Sequence, residues 1–228
     1  YGDATNSRLK FAVADNANGA GFNGVGISDP VRNWSLPVTI PGTGAVGRHF
    51  TLSNVDGFPA IVYQSSDKLD LKFIRTLNLT GLRHDALRDP ADQSILRILV
   101  TALLPDATGS WDAPITLDSA GDVGASPSIA FVNGQPTTLK DRPAVTYYDA
   151  TNVDLKLVSA SDSAGSAWNP AIPLLTVDDV GRFNALLISD GLPAVAYYNA
   201  TLGDLGFMIF NNASGYTRIS TTADTTWR

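Results

Sequence analysis

The sequence has few residues of the types that catalyse reactions or bind metals, and those it has are not spaced as in a known catalytic or metal-binding motif. The two histidines, His49 and His84, lie in different loops, and no Ser-His-Asp spacing surrounds either of them. The chain has no cysteine, which excludes thiol catalysis, a disulfide framework and cysteine-based zinc sites. Every acidic residue is an aspartate, and none stands apart from its repeat copies as a glycosidase carboxyl pair would. The sequence therefore predicts no catalytic residue, no resident metal and no cofactor.

One turn has oxygen side chains of the kind that a calcium ion accepts. Asp149, Asn152 and Asp154 fall within a six-residue stretch, and carboxylate and amide oxygens are the usual ligands of Ca²⁺. The same residue types form Asx turns, in which the side chain accepts hydrogen bonds from the backbone of a tight hairpin. Because other copies of this turn replace these positions with Gln64, Arg8 and Asn199, the Asx turn is the favoured interpretation.

Four side chains are candidates for a sugar-binding surface: Tyr148, Tyr198, Arg48 and Arg182. Each arginine follows a Val-Gly pair, and each tyrosine is the second of a Tyr-Tyr pair. Neighbouring residues of a strand point to opposite faces, so one tyrosine of each pair is expected in the core while the other can face a ligand. A carbohydrate-binding module is therefore the alternative function.

N-glycosylation triplets occur at four positions. We expect glycan attachment at these asparagines if the source organism glycosylates: Asn33, Asn78, Asn199 and Asn212.

The elements that must position these side chains belong to one repeated all-β unit. Each copy has a Leu eight residues after a Tyr, at Leu9, Leu71, Leu155 and Leu205. Three tryptophans are followed twelve residues later by a Val-Gly pair, which we call the Val-Gly step. The three steps are Val46-Gly47, Val123-Gly124 and Val180-Gly181. Ten residues after each of these valines comes an Asp-Gly or Asn-Gly dipeptide, which is typical of a tight hairpin between two strands.

This spacing predicts four strands, a to d, in each unit. Strand a precedes the hairpin dipeptide, strand b follows it, strand c begins near the repeated Leu, and strand d follows the Trp. The predicted ranges are 50–54, 128–132 and 185–189 for strand a, 60–63, 144–148 and 194–198 for strand b, 71–76, 155–160 and 205–210 for strand c, and 36–40, 114–117 and 172–175 for strand d.

Each predicted unit has four strands, and a Trp closes the turn between the third and the fourth. In this respect the repeat resembles those of the Asp-box (BNR, sialidase-type) β-propellers. In that family the motif Ser-x-Asp-x-Gly-x-Thr-Trp occupies this turn. The nearest match here runs from Ser161 to Trp168, with Gly165 three residues before the Trp and Asp162 displaced by one. The resemblance implies propeller-like blades. Sialidases of the family also pair a tyrosine with a glutamate, which this chain lacks, so the resemblance does not extend to their activity.

Composition narrows the expected partners and location. Of the 228 residues, 44% are hydrophobic and 17% are charged, which indicates a sizeable core. The net charge of -6 argues against a nucleic-acid or anionic-membrane surface. No run approaches the ~18 apolar residues of a membrane span. The absence of cysteine fits an extracellular or cell-surface protein, which is the expected location.

The predicted strands start and stop out of phase. We interpret residues 1–228 as a single β-repeat domain with units of about 1–34 (partial), 35–111, 112–168 and 169–228. The first unit supplies only strands c and d, and the last lacks strand d because Trp227 is followed by one residue. Three a strands are too few for a closed propeller of four or more blades. The expected fold class is all-β, with tandem four-stranded antiparallel blades, propeller-like and incomplete or open at the termini.

Two explanations fit the incomplete first and last units. The chain is a piece of a longer repeat protein, or its terminal strands pair with neighbouring copies. An unpaired strand edge is a template for strand addition, and a head-to-tail contact that does not close generates a filament. The expected function is a non-enzymatic extracellular structural or adhesive protein that self-assembles through its terminal strands. Copies of itself are the expected partner and glycans a second one, while glycoside hydrolase is the least favoured alternative.

Overall fold

The computed structural model of the protein describes residues 2–3, 5–11, 38–76, 111–132, 141–189, 192–211 and 215–219. Across these ranges the chain forms antiparallel β-sheets and no helix, and none of the sheets closes into a barrel. The expected fold class, all-β with open propeller-like blades, is confirmed. No helix in the described ranges is long and apolar enough to cross a membrane.

The strands form one short sheet and three four-stranded blades in which neighbours in sequence are neighbours in the sheet. The N-terminal sheet contains β1 (Gly2–Asp3), β2 (Arg8–Phe11) and β3 (Val38–Thr39). The first blade contains β4 (Val46–Val55), β5 (Phe58–Ser65), β6 (Leu71–Arg75) and β7 (Ile115–Asp118). The second contains β8 (Val123–Val132), β9 (Arg142–Asp149), β10 (Asp154–Ser159) and β11 (Ile172–Leu175). The third contains β12 (Val180–Ser189), β13 (Leu192–Asn199), β14 (Asp204–Asn211) and β15 (Gly215–Ile219).

Strand a is twice as long as expected because it begins at the Val-Gly step. The prediction missed its first half because the strand carries a bulge there, where the pairing with strand b shifts register. Gly181 of the third blade has φ of +104°, a conformation that only glycine adopts without strain. The predicted hairpin turn at Asp56-Gly57 is confirmed, with φ of +50° and +83° at its two residues.

The third blade has the fourth strand that the sequence did not predict. Strand d was expected after each tryptophan, but β15 at Gly215–Ile219 precedes Trp227 and pairs with β14. The expectation that the C-terminal unit lacks strand d is therefore wrong. A strand of five residues without alternating apolar side chains gives little periodic signal, and its pairing is decided by the exposed edge of β14.

By its internal contacts the chain divides into two units, residues 1–45 with 76–113 and residues 46–75 with 114–228. The second unit holds all three blades, stacked face to face with two apolar cores between them. In each blade we call the face toward the preceding blade the inner face and the opposite one the outer face. The second blade is covered on both faces, which is why β9 is buried along almost its whole length.

The outer face of the first blade packs on the inner face of the second through Val62, Leu71 and Phe73 against Val145 and Tyr147. The same packing of an outer face on an inner face recurs between the second and third blades. There Ala144 and Leu155 of the second blade pack against Leu186, Val195 and Tyr197 of the third.

Candidate functional site

The proposed sugar-binding residues are only partly brought together. Arg182 lies beside Tyr148, with its guanidinium carbon 5.2 Å from the ring centroid, and it pairs in register with Tyr198 across β12 and β13. Arg48 has the position on β4 of the first blade that Arg182 has on β12 of the third, so the two arginines lie two blades apart. Tyr148 is buried, so it offers no ring face to a sugar. Of the four residues, only Arg182 and Tyr198 lie side by side at the surface, with Arg182 exposed and Tyr198 half-buried.

The hydroxyl of Tyr148 is engaged inside the protein. It donates a hydrogen bond of 2.8 Å to Asp179 Oδ1, and Arg182 Nη2 lies 2.7 Å from Asp179 Oδ2. Burial raises the pKa of Tyr148, and the hydrogen bond to Asp179 raises it further. The tyrosine is therefore a neutral donor that joins the second blade to the start of the third.

Of the four expected glycosylation sites, Asn33, Asn78 and Asn212 lie outside the described residues. Asn199 is 2% exposed, and its amide nitrogen donates to Asp178 Oδ2 at 3.1 Å. Its side-chain oxygen accepts hydrogen bonds from the backbone of the following turn. A glycan on this nitrogen would have to break that arrangement, so the folded chain does not present Asn199 for attachment.

The turn considered for calcium is an Asx turn. Asp149 Oδ1 accepts hydrogen bonds of 3.0 Å from the backbone nitrogens of Thr151 and Asn152, and Oδ2 accepts one of 2.9 Å from Asn152 Nδ2. Asp149 Oδ2 also lies 3.4 Å from Lys156 Nζ. The carboxylate is thus used to cap the turn and to pair with a lysine. Among the described residues no group of three or more His, Cys, Asp or Glu side chains is arranged to hold a metal.

Lys156 belongs to a buried charged cluster between the first and second blades. Its ammonium group pairs with Asp118 at the end of β7, and the hydroxyl of Tyr147 donates to the same carboxylate. Desolvation pushes the pKa of Asp118 upward, but the hydrogen bonds from Lys156 and Tyr147 outweigh it and hold the pKa below its usual range. Burial raises the pKa of Tyr147 far above its usual range, so it remains a neutral donor. The cluster is largely shielded from solvent, with the side chain of Lys156 12% exposed, and acts as a structural link.

A backbone contact joins the first blade to the second and the second to the third, at the second and third Val-Gly steps. The nitrogen of Val123 donates to the carbonyl of Leu69 at 2.9 Å, and the nitrogen of Val180 donates to the carbonyl of Val153 at 3.0 Å. Leu69 and Val153 hold the same position before strand c and have φ of +60° and +59°. The left-handed turn residue of one blade thus directs its carbonyl toward the first strand of the next.

At the second and third Val-Gly steps the glycine lies directly on the repeated leucine of the preceding blade, whereas a Cβ added to Gly47 of the first step would meet Gln64 of its own blade. A Cβ added to Gly124 would come within 3.1 Å of Leu71 Cα, and one added to Gly181 within 2.8 Å of Leu155 Cα. Only a glycine permits this approach, because the atoms that block a side chain include backbone. The Val-Gly spacing seen in the sequence therefore marks the point where two blades meet.

A side-chain link accompanies the second and third Val-Gly steps. Gln64 Nε2 donates to Asp122 Oδ1 at 2.9 Å between the first and second blades, as Tyr148 does to Asp179 between the second and third. Asp122 and Asp179 each precede a Val-Gly step, while the residue before the first step is Ala45. The sequence signal for this link was an aspartate that directly precedes the step in two of three copies.

We expect Tyr148→Phe to lower the free energy of unfolding by about 1–2 kcal/mol, because it removes a donor from the carboxylate of Asp179 at a part-buried contact. Tyr198→Phe is the matched control, since Tyr198 has the same position on the third blade, which no described blade follows. Urea titration of both variants measures the difference. Equal losses in the two variants would contradict the role of the link between blades.

A polar set next to this link joins the inner face of the third blade to the second. Asn184 accepts a hydrogen bond of 2.7 Å from the hydroxyl of Thr146 and donates one of 2.8 Å to the carbonyl of Ser126. The backbone nitrogen of Leu186 donates to the hydroxyl of Ser128 at 2.9 Å. Residues 184 and 186 of β12 thus lie over residues 126, 128 and 146 of the second blade.

The outer face of the third blade is the exposed counterpart of the surface that the second blade buries. Leu205 is 71% exposed, whereas Leu155 at the same position of the second blade is fully buried. Leu187 is also exposed, in contrast to its buried counterpart Ala130. Large apolar side chains at this end of the stack therefore face solvent. Sequence reasoning missed this surface because it followed strand edges rather than faces.

No protein-family model matches the chain, and no curated protein matches it.

Proposed function

We propose that this chain is a non-enzymatic structural or adhesive protein, extracellular or at the cell surface, that assembles with copies of itself through the ends of its blade stack. The observation that carries the proposal is the exposed apolar outer face of the third blade. Repeat proteins end in capping units with a polar outer face when the stack stops there. The apolar outer face of the third blade supports its burial against another molecule.

The outer face of the third blade is more apolar than the buried face it corresponds to. Ser128 and Thr146 of the second blade, which hydrogen-bond the third, are replaced by Ala185 and Ala196. A surface that remained in water would gain nothing from losing two hydroxyl groups, and an apolar patch on a soluble protein marks an interaction site. This exchange favours burial of the face in an assembly.

The route of assembly differs from edge-to-edge pairing of terminal strands. Because β15 completes the third blade, the C-terminal unit does not lack a strand to be supplied by a neighbour. Its outer face, in contrast, is a large surface without a cover among the described residues. We therefore propose that copies associate by stacking blade on blade. If the outer face meets a different surface of the next copy, the assembly extends as a filament unless its rotation closes a ring, and if it meets its own counterpart the assembly stops at a dimer.

We expect the chain to show a rise in mass with concentration in sedimentation velocity, and Leu187→Asp to abolish it by placing a charge on the apolar face. Leu202→Asp is the matched control. Leu202 is 50% exposed against 48% for Leu187, and it lies in the turn between β13 and β14 rather than on the face. Electron microscopy of the concentrated parent protein shows whether the product is a filament or a ring.

A parent chain that remains monomeric at millimolar concentration would contradict self-assembly. An equal loss of association in the Leu187 and Leu202 variants would show that total charge matters and that the face does not. Glycan binding by a monomeric chain, lost on Tyr198→Ala, would instead favour the carbohydrate-binding alternative.

A further inference from the structure

We infer that the outer face of the third blade is covered by the same face of a second copy, so that two chains form a two-fold symmetric dimer with Ala196 at its centre. The inference rests on the proposed self-assembly and names the surface that the partner uses. Three observations carry it: the fully apolar centre of the face, the lack of a matching exposed surface elsewhere in the described residues, and the size of the face.

The centre of the outer face has no polar side chain. Strands β12, β13 and β14 pair in register, so their outer residues form rows that run across the three strands. Two neighbouring rows lie at the middle of the face, and all six of their residues are apolar: Ala185, Ala196 and Phe207 in one row and Leu187, Ala194 and Ile209 in the next.

The outer faces that are covered inside the stack differ at the same six positions. Each of them has three polar residues there, which are Thr51, Ser53 and Arg75 in the first blade and Ser128, Thr146 and Ser159 in the second. Ser128 and Thr146 use their hydroxyl groups to hydrogen-bond the third blade. The third blade offers no such side-chain partner at its centre, so a polar surface placed on it would be left with unsatisfied groups. The occupant of this face must itself be apolar.

Large side chains around the centre project into solvent. Leu205 is exposed and Phe183 is 79% exposed, and the ring of Phe183 lies 6.4 Å from the ring of Tyr198. Among the described residues of the face, Arg182 is the only charged one. Its Nε and Nη2 atoms donate to Asp179 of the same chain at 3.1 and 2.7 Å. The face therefore combines apolar area with a charge that is already paired.

The other end of the stack does not provide a second apolar face. Phe50 and Leu52 are exposed on β4, but by register they share the inner face of the first blade with Tyr63, Ile61 and Ile74. These three residues are at most 5% exposed. The inner face of the first blade is thus already covered within the chain, and another blade cannot stack on it.

The remaining exposed large apolar side chains of the described ranges do not form a face. They lie singly in turns or on and after the edge strand β11: Leu69, Val153, Leu202, Ile172 and Val177. Within the described residues, the outer face of the third blade has only its own counterpart as a surface of the same apolar character. A second copy of the chain supplies that counterpart.

The position of Ala196 makes the face self-complementary. When identical faces meet around a two-fold axis, a residue on the axis contacts its own copy. The two apolar rows are centred on β13, and Ala196 lies near the middle of that strand. An axis in the plane of the contact and through Ala196 brings this alanine against its counterpart, whether the axis runs along β13 or across it. The small side chains of Ala185 and Ala194 beside it let the two sheets approach closely.

The size of the face fits a reversible dimer. The third blade has four strands of five to ten residues. With a strand spacing of about 4.8 Å and a rise of about 3.3 Å per residue, such a sheet covers about 500 Å². Two of these faces bury about 1,000 Å² together, which is the lower end of specific interfaces. Because no ion pair crosses the contact, we expect association to change little with ionic strength.

Charge exchange at Ala196 tests whether the face meets its own counterpart. Ala196→Asp and Ala196→Lys are prepared as separate full-length proteins and studied by sedimentation velocity. Each alone should associate at least about tenfold more weakly than the parent chain, because like charges then oppose each other at the axis. An equal mixture should associate more tightly than either protein alone and give the mass of a dimer, because an aspartate then faces a lysine.

The same two substitutions at Leu202 are the matched control. Leu202 is also exposed but lies in the turn between β13 and β14, away from the face. Leu202→Asp and Leu202→Lys should associate like the parent chain, both separately and mixed. Circular dichroism checks that every variant keeps the fold, which we expect because Ala196 is exposed in the single chain.

The outcomes separate this inference from the proposed function. If the parent chain associates but the mixture is no tighter than its components, or if the mass continues to rise beyond a dimer, the face meets a different surface. The inference is then wrong and self-assembly stands. The same holds if Ala196→Asp associates like the parent chain. A parent chain that stays monomeric would mean that another segment of the chain or a different protein covers the face, and self-assembly and the inference both fail.

Discussion

Gly181→Ala is expected to destabilise the chain by at least about 3 kcal/mol, the range of the most damaging single substitutions. Two effects add at this position. The new Cβ would lie 2.8 Å from Leu155 Cα, a backbone atom of the neighbouring blade that cannot turn away. The residue also has φ of +104°, which an L-residue adopts only with strain. Relief of either effect requires the third blade to move off the second. Urea titration followed by tryptophan fluorescence measures the loss.

Gly203→Ala separates the two effects. Gly203 has φ of +75°, but a Cβ there would meet no atom within 4 Å. This variant therefore carries the backbone strain without the clash, and we expect a loss of about 1 kcal/mol. Similar losses in the two variants would mean that backbone conformation alone explains the glycine of the Val-Gly step. A much larger loss for Gly181→Ala assigns the step to blade packing.

Lys156→Met is expected to cost about 3–5 kcal/mol, because it leaves buried carboxylates without their cation. The side chain of Asp149 is fully buried and that of Asp118 is 7% exposed, while Lys156 is the cation that faces both. Methionine keeps most of the length of the side chain, so the loss reports the charge rather than a cavity. Lys72→Met is the matched control. Lys72 has the same position in the first blade, where Ser65 replaces the aspartate, and we expect a small effect there.

The same variant should change how stability depends on pH. The pKa of Asp118 is lowered in the folded chain, with Lys156 supplying the larger of the two side-chain hydrogen bonds that lower it. A carboxyl group of this kind stabilises the fold fully above its unfolded pKa of about 4, and the stabilisation is lost as pH falls through the folded value. Without the lysine the folded pKa rises toward or above the unfolded value, so the variant should lose less stability than the parent as pH falls below about 4, and the difference between the two should shrink there. Superposable acid-unfolding curves for parent and variant would contradict this.

Much of the fold could be predicted from spacing because each repeated residue pair corresponds to one feature of the backbone, such as a hairpin turn or the start of a strand. The Asp-Gly dipeptide favours a tight hairpin, and the alternating apolar runs on either side of it form strands a and b. The all-β class, the antiparallel blades and the order of strands followed from these local preferences. The glycine of the Val-Gly step was visible as an invariant distance, although its role on the leucine of the preceding blade was not.

The candidate site could not be predicted from repeat spacing to the same extent. Tyr148 and Tyr198 have the same sequence context, yet one is buried beneath the third blade and the other lies on an open face. Repeat position alone gives both the same interpretation, because the difference lies in which blade follows. Strand β15 was not predicted for a related reason. Its pairing depends on the edge of β14 and not on alternating apolar residues in its own sequence.

The sequence by itself determined the repeated β-unit, its turns and the absence of any thiol, because these depend on residue type and short-range spacing. Only the tertiary structure decided which face of each blade is covered. Burial of a side chain depends on the neighbouring sheet, so Phe50 and Leu52 at one end of the stack and Leu187 and Leu205 at the other are apolar in sequence but exposed in the fold. The exposed outer face of the third blade is where the functional proposal begins.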